Sequence, residues 1–161
     1  MAVIYWINQQ YQPAMNLATL PPFIPVPVPL APVWVQAASV SVAAGFPSPA
    51  EDHQVERIEL MSQLVKHPQA TFYVRIQGDS MRDAGILDGS VVLVDKAIKP
   101  RHGHIVIAVV DGDFTCKRLH QRSGTMRLKP ENPAYQDIVP KDGQTVEVWG
   151  VVVATIHQHI A

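Results

Sequence analysis

Apolar positions after residue 70 fall in short runs that glycine and aspartate turns separate. These runs are Thr71–Ile76, Ser90–Val94, Ile105–Val110, Phe114–Leu119, Thr125–Leu128 and Val146–Ile156. Short runs rich in β-branched and aromatic residues, bounded by turn residues, are typical of strands. Asp111-Gly112-Asp113, between two of the runs, predicts a hairpin. The pattern therefore predicts a compact, mostly β domain of short strands.

The apolar residues before these strands have a different spacing. Between residues 51 and 67, apolar side chains recur at three- and four-residue spacings, including Val55, Ile58 and Met61. This spacing predicts one short helix over Glu51–His67. Pro68 follows, and we expect the helix to end there because proline cannot continue it.

The N-terminal part of the chain has another composition. Residues 1–50 contain no Asp, Glu, Lys or Arg, and charge begins at Glu51. Prolines crowd the same part, and the alternation of Pro and Val over Pro25–Pro29 favours polyproline II. We interpret residues 1–44 as an extended arm that lies on the domain as an added strand. Residues 45–161 are then the globular domain.

The arm has three other interpretations. A membrane-spanning helix over Leu17–Ala44 is disfavoured, because each proline in a helix interior destabilises it by about 3 kcal/mol. A signal peptide would explain the small residues Val42-Ala43-Ala44, but the chain lacks the positively charged start that such peptides carry. The third alternative is a poorly ordered tail.

Charge and cysteine content limit the function classes. The chain has 13 basic and 14 acidic residues, so no basic composition indicates direct, sequence-specific DNA binding. The one cysteine, Cys116, excludes a disulfide within the chain and suits a reducing compartment. We therefore expect a cytoplasmic protein without a membrane anchor.

The first candidate for chemistry is Ser80, in Gly78-Asp79-Ser80-Met81 just after a predicted strand. A serine in a turn at a strand end can present its hydroxyl to a cleft. Backbone N–H groups beside it, those of Asp79 and Ser80, can then face a developing oxyanion. The alternative is an ordinary serine in a surface turn.

Lys117 is the second candidate. Strand alternation places Thr115, Lys117 and Leu119 on one face, with Cys116, expected to be a core thiol, on the other. If the Lys117 face is buried, the pKa of Lys117 falls below its usual value of about 10.4. The neutral amine could then take the Ser80 proton, as in Ser–Lys catalysis, and Thr115 could orient it. The alternative is an exposed lysine paired with a carboxylate.

The third element is a candidate substrate within the chain. Val42-Ala43-Ala44-Gly45 has side chains small enough to enter a narrow cleft in an extended form. It lies where the uncharged arm meets the charged domain, so cleavage between Ala44 and Gly45 would remove the whole arm. The alternative is an ordinary linker of small residues.

These residues and several neighbouring segments resemble those of a known protein family. From Gly45 onward the chain resembles the UmuD-like proteins within the LexA-like family of self-cleaving proteins. The segments that carry the resemblance are Gly45–Ala50, Gly78–Met81, Val106–Ala108 with Asp111-Gly112, Phe114–Lys117 and Trp149–Val152. Ser80 and Lys117 match the catalytic pair of the family, and Ala44–Gly45 matches its scissile bond. The arm is longer and richer in proline than in UmuD-like proteins, and no helix-turn-helix is recognisable in it.

The resemblance implies a role in SOS mutagenesis. It implies a homodimer that cleaves itself when a RecA filament on single-stranded DNA stimulates it after DNA damage. The product Gly45–Ala161 would join a UmuC-like Y-family polymerase and help it to copy past lesions. No cofactor is implied.

Other functions were considered. One is an accessory module of the polymerase that does not cleave itself, and another is a signal-peptidase-like Ser–Lys protease. The spacings His102-x-His104 and His157-x-His159 place each pair of histidines on one face of a strand, as zinc ligands can be. No carboxylate or thiol completes a recognisable ligand pattern, however. We therefore predict no metal site.

Overall fold

The computed structural model describes residues 26–27, 32–38, 55–122 and 124–159. One short helix, α1 (Leu60–Leu64), accompanies the strands. The strands are β1 (Val26–Pro27), β2 (Trp34–Ala38), β3 (Val55–Glu59), β4 (Thr71–Arg75), β5 (Val91–Asp95), β6 (Ile105–Val110), β7 (Asp113–Arg122), β8 (Thr125–Lys129) and β9 (Val146–Ile156). The predicted mostly β fold is confirmed.

Seven strands form one antiparallel sheet in the order β1-β4-β5-β9-β6-β7-β8. The long strand β9 lies at its centre, and its pairing shifts register against both β5 and β6. At Gly150 in β9, an added Cβ would lie 2.7 Å from Val94 Cγ1 and 3.3 Å from the Asp95 carbonyl oxygen. Glycine is therefore needed where β9 crosses β5 closely.

The predicted strands of the domain all exist, with shifted ends. The hairpin at Asp111-Gly112 joins β6 to β7, as predicted. Strand β7 extends beyond the predicted Phe114–Leu119 because it pairs with β6 along its first part and with β8 along its second.

The helix predicted over Glu51–His67 is confirmed at Leu60–Leu64 and wrong at residues 55–59 and 65–67, while residues 51–54 lie outside the described residues. Residues Val55–Glu59 form strand β3, which pairs with β2 of the arm. The helix begins only after Glu59, whose carboxylate accepts hydrogen bonds from the backbone N–H groups of Met61 and Ser62, as a helix cap does. Long-range pairing with the arm thus overrides the helical spacing. Pro68 does not end a helix but begins a short 3₁₀ turn, Pro68–Ala70.

Two pieces of the arm lie on the domain as added strands, as predicted. Strand β1 pairs with β4 at the sheet edge, and β2 pairs with β3 in a separate two-stranded ribbon. The polyproline prediction for Pro25–Pro29 is wrong at Val26–Pro27, which is a strand. The predicted cleavage site, Ala44–Gly45, and the boundary there lie outside the described residues.

The core that positions the site lies against one part of the large sheet. It joins side chains of β4, β5, β6 and β7 to Met81 and Ile86, which follow Ser80 in the chain. Met81 and Ile86 are each 1% exposed, and full burial of such a side chain stabilises by about 1.5–3 kcal/mol. The turn that carries Ser80 is thus anchored in the core. No helix in the described ranges is long and apolar enough to span a membrane.

Candidate active site

Ser80 lies in the connection between β4 and β5, in a turn that the backbone fixes at both ends. Gly78 adopts a positive φ of 86°, a conformation that favours glycine, and its N–H donates to the Asp88 carboxylate at 2.7 Å. On the other side, the Arg82–Ala84 3₁₀ turn follows the buried Met81. The Ser80 side chain is held at a cleft as a result.

Lys117 reaches this cleft from β7. Its side chain is buried, with 7% of the residue exposed. The Nζ atom donates to Ser80 Oγ at 2.8 Å and to the Cys116 carbonyl oxygen at 2.9 Å. The structure therefore brings together the two side chains that the sequence singled out, 37 positions apart in the chain.

Burial gives the Lys117 amine an unusual protonation behaviour. Desolvation lowers the pKa of Lys117 from its ordinary value, against a smaller opposing effect of Cys116, because a buried ammonium loses its hydration. A neutral amine in this position can accept the Ser80 proton, and the Cys116 carbonyl holds the nitrogen in place. The arrangement fits nucleophilic catalysis by a serine with a lysine base.

The cleft beside the pair has a volume of about 200 Å³. Its walls include Val74, Ile76, Ile107, Phe114 and Cys116. Arg75, Gln77 and Thr115 line it as well, so the cleft has both apolar and polar walls.

Cys116 is buried in the core, as predicted, and it also borders the cleft. Burial raises the pKa of its thiol to about 12, against the opposing effect of Lys117. The thiol is therefore neutral at physiological pH and is a poor nucleophile. Both faces of β7 are buried here, because Leu119 on the other face is 2% exposed.

Thr115 lies on the cleft wall. The described hydrogen bonds of the Lys117 amine, however, go to Ser80 and to the Cys116 carbonyl. The backbone carbonyl thus occupies the orienting position that the sequence assigned to Thr115, whose role stays a prediction.

Asp79 has more contacts than a simple turn residue. Its carboxylate accepts hydrogen bonds from the Tyr135 hydroxyl at 2.6 Å and from Asn132 Nδ2 at 3.0 Å. The Tyr135 hydrogen bond is the main reason why the pKa of Asp79 is lowered. The predicted role of the Asp79 N–H at an oxyanion stays a prediction.

Sequence reasoning missed Asn132 and Tyr135. They lie beyond β8, more than fifty positions from Asp79. Asn132-Pro133 is typical of a turn, but nothing in the sequence indicates that this turn contacts the one that carries Ser80.

None of the histidines in the spacings His102-x-His104 and His157-x-His159 lines the cleft. His102 packs edge-to-face on His120, and His157 does so on His159, with ring centroids 4.8 Å and 4.9 Å apart. No group of three or more metal-binding side chains occurs in the part of the chain that the structure describes.

The similarities to known proteins identify a protein of serine-peptidase type. The chain belongs to the Peptidase S24-like family, which it matches over residues 32–153. Protein SamA of Salmonella typhimurium is 47% identical over 115 residues, which cover 71% of this chain and 79% of that protein. Protein MucA of Escherichia coli is 38% identical over 120 residues, or 73% of this chain and 81% of that protein.

A LexA repressor, from Verminephrobacter eiseniae, is 37% identical over 123 residues. The match covers 76% of this chain but 54% of the repressor. Together these similarities confirm the resemblance to UmuD-like SOS mutagenesis proteins within the LexA-like family.

Proposed function

We propose that this protein is a self-cleaving endopeptidase in which Ser80 is the nucleophile, Lys117 is the general base and Ala44–Gly45 is the scissile bond. One observation carries the proposal: the buried Lys117 Nζ lies 2.8 Å from Ser80 Oγ at the wall of a cleft. A hydrogen bond of this length is within reach for proton transfer.

The reaction proceeds in two steps that return the pair to its starting state. The neutral Lys117 amine takes the Ser80 proton while Oγ attacks the Ala44 carbonyl carbon. The amine of Gly45 leaves with the proton that Lys117 returns, and an ester joins Ser80 to Ala44. Water then attacks the ester, with Lys117 again as base, and residues 1–44 are released with a free carboxylate. The substrate and the nucleophile share one chain, so the effective concentration is high.

The β2–β3 ribbon supplies a reason why cleavage would change the protein. Strand β2 lies before the proposed scissile bond and β3 lies after it, so the cut separates two paired strands. An isolated two-stranded pairing is marginally stable in water. Once the covalent connection is lost, the arm can leave, because its effective concentration at β3 falls to that of a free peptide.

The cellular role follows from the resemblance. We propose that Gly45–Ala161 acts as a homodimeric accessory subunit of a UmuC-like Y-family polymerase in error-prone translesion synthesis. A RecA filament on single-stranded DNA would stimulate the cut by favouring the arm position in which Ala44 meets Ser80. The charge balance of the chain gives no support to direct, sequence-specific DNA binding.

Mass spectrometry of the full chain tests the proposal. After incubation at about pH 10, near the usual pKa of lysine, we expect a fragment that begins at Gly45. Ser80→Ala and Lys117→Ala should stay intact under the same conditions. A parent chain that stays intact even with RecA, ATP and single-stranded DNA would contradict self-cleavage and favour the accessory module that does not cleave itself.

A further inference from the structure

A loop beyond β8 holds the turn that carries Ser80. This clamp loop, residues 131–135, makes two backbone contacts with the turn. The Glu131 N–H donates to the Ser80 carbonyl at 2.8 Å, and the Asp83 N–H donates to the Glu131 carbonyl at 2.9 Å. Two backbone hydrogen bonds therefore tie the clamp loop to the Ser80 turn, although the two segments are about fifty positions apart in the chain.

Asn132 is the side chain at the centre of this contact. It is 2% exposed, and its Nδ2 donates both to the Asp79 carbonyl at 3.1 Å and to the Asp79 carboxylate at 3.0 Å. Its Oδ1 accepts the Ala134 N–H at 3.0 Å. A buried amide with its donors and acceptor engaged in this way fixes the groups that it contacts.

Peptide geometry turns this contact into a constraint on the nucleophile. The described residues contain no cis peptide bond, and in a trans peptide the C=O and the following N–H point in opposite directions. Asn132 Nδ2 and the Arg82 N–H both donate to the Asp79 carbonyl, each at 3.1 Å, so the Ser80 N–H points away from the clamp loop. The Glu131 N–H holds the Ser80 carbonyl, so the Met81 N–H also points away from the clamp loop. Neither Asn132 nor Glu131 lines the cleft, whereas Ser80 does.

We propose that Asn132 is a positioning residue for self-cleavage, because it fixes the Asp79–Ser80 peptide with the Ser80 N–H directed toward the cleft. When Ser80 Oγ attacks, the Ala44 carbonyl oxygen becomes an oxyanion that this N–H stabilises. The inference rests on the proposed Ser–Lys function. It adds a residue that touches neither the substrate nor the Lys117 amine.

Self-cleavage rates of the full chain, measured against pH, test the role of Asn132. Removing one oxyanion donor from a protease slows the reaction by about 10²–10³-fold. A donor that is still present but points in the wrong direction should slow the reaction somewhat less. Asn132→Leu should therefore lower the maximal rate by roughly 10- to 100-fold. The midpoint of the pH profile should stay that of the parent, because Lys117 is unchanged. Asn132→Ser, whose shorter side chain no longer reaches Asp79 and adds no charge, should give the same result if the leucine variant does not fold.

Thr71→Val is the matched control. Thr71 is 1% exposed and its hydroxyl donates to the His67 carbonyl at 2.8 Å, so its loss also removes a buried polar contact, but at the start of β4 and away from the Ser80 turn. It should lower the melting temperature without lowering the maximal rate. Asn132 variants that cleave at the parent's maximal rate, or that lose activity only through a shifted midpoint, would overturn the positioning role.

A fluorophosphonate separates this inference from self-cleavage itself. Ser80 Oγ attacks phosphorus, fluoride leaves, Lys117 takes the proton, and the phosphoryl oxygen occupies the oxyanion position. Mass spectrometry should find the Ser80 adduct forming faster in the parent than in Asn132→Leu. If the parent reacts in this way but never cleaves itself, the positioning role stands and the proposed function fails. A Ser80 that is inert in both reactions would overturn both.

Discussion

The cleft and the β2–β3 ribbon lie in one chain but are built in opposite ways. Around the cleft, Met81, Ile107 and Lys117 are buried, and the Ser80 turn is tied at both ends. In the ribbon, Trp34 is 55% exposed, and its ring contacts the Arg57 guanidinium, 5.6 Å from the ring centroid. The cleft rests on the core, whereas the ribbon rests on backbone pairing and a few exposed contacts.

The cleft has the fixed geometry that catalysis requires, and the β2–β3 ribbon has the weak attachment that regulation by the arm would require. A nucleophile and its base need fixed geometry, which a packed core supplies. In the proposed reaction the arm moves and later leaves, which requires weak attachment of the kind that two exposed strands supply. We therefore expect changes in the cleft to abolish the reaction, and changes in the ribbon to alter how the arm is held.

The largest effect should come from Lys117→Met, which keeps much of the side-chain volume and removes the amine. Self-cleavage should be lost, yet the folded protein should become more stable at neutral pH. The folded state binds the Lys117 proton less tightly than the unfolded chain does, since burial lowers the pKa. This penalty is full below the folded-state pKa and disappears as the pH rises toward about 10.4.

Denaturant unfolding at several pH values measures this effect. The stability gain of Lys117→Met over the parent should shrink as the pH is raised through the alkaline range. Ser80→Ala is the background for both proteins, because it prevents cleavage during the measurement. A methionine variant that is less stable than the parent at neutral pH would mean that Lys117 is not under strain in the cleft.

A smaller effect is expected from Glu59→Gln in the ribbon. The Glu59 carboxylate accepts hydrogen bonds from the N–H groups of Val33 beside β2 and of Met61 and Ser62 in α1. These bonds, that of Val33 first, lower the pKa of Glu59. The variant should leave the global unfolding transition nearly unchanged but make the arm more accessible to an added protease.

The pH dependence of arm accessibility has a definite sign. A lowered carboxyl pKa stabilises the ribbon above the usual value of about 4.3, and the contribution is lost as the pH falls through the folded-state pKa. The parent arm should therefore become protease-sensitive in acid, and Glu59→Gln should show less of this change. Glu56→Gln, on the same strand, is the matched control. Equal protease sensitivity of both variants and the parent would show that Glu59 does not hold the arm.

The two regions also differ in how far the sequence predicts them. Strands β4 to β9 of the large sheet and the pairing of Ser80 with Lys117 follow from local runs, turn residues and a family resemblance. The sequence predicts a helix at β3, because Val55, Ile58 and Met61 have helical spacing and only pairing with β2 reveals the strand. The sequence gives no sign of the role of Asn132 for a similar reason, since its contact with Asp79 joins two turns that are distant in the chain. Local pattern predicts local structure, and long-range contacts override it.

The pH dependence of the self-cleavage rate tests the central claim most directly, because it reports the protonation of Lys117 during the reaction. Below the midpoint, the rate of appearance of the Gly45 fragment should rise roughly tenfold per pH unit as the neutral amine accumulates. It should level off at a midpoint below about 10.4, the usual pKa of lysine. A rate that does not vary with pH, or that falls as the pH rises, would contradict Lys117 as the base.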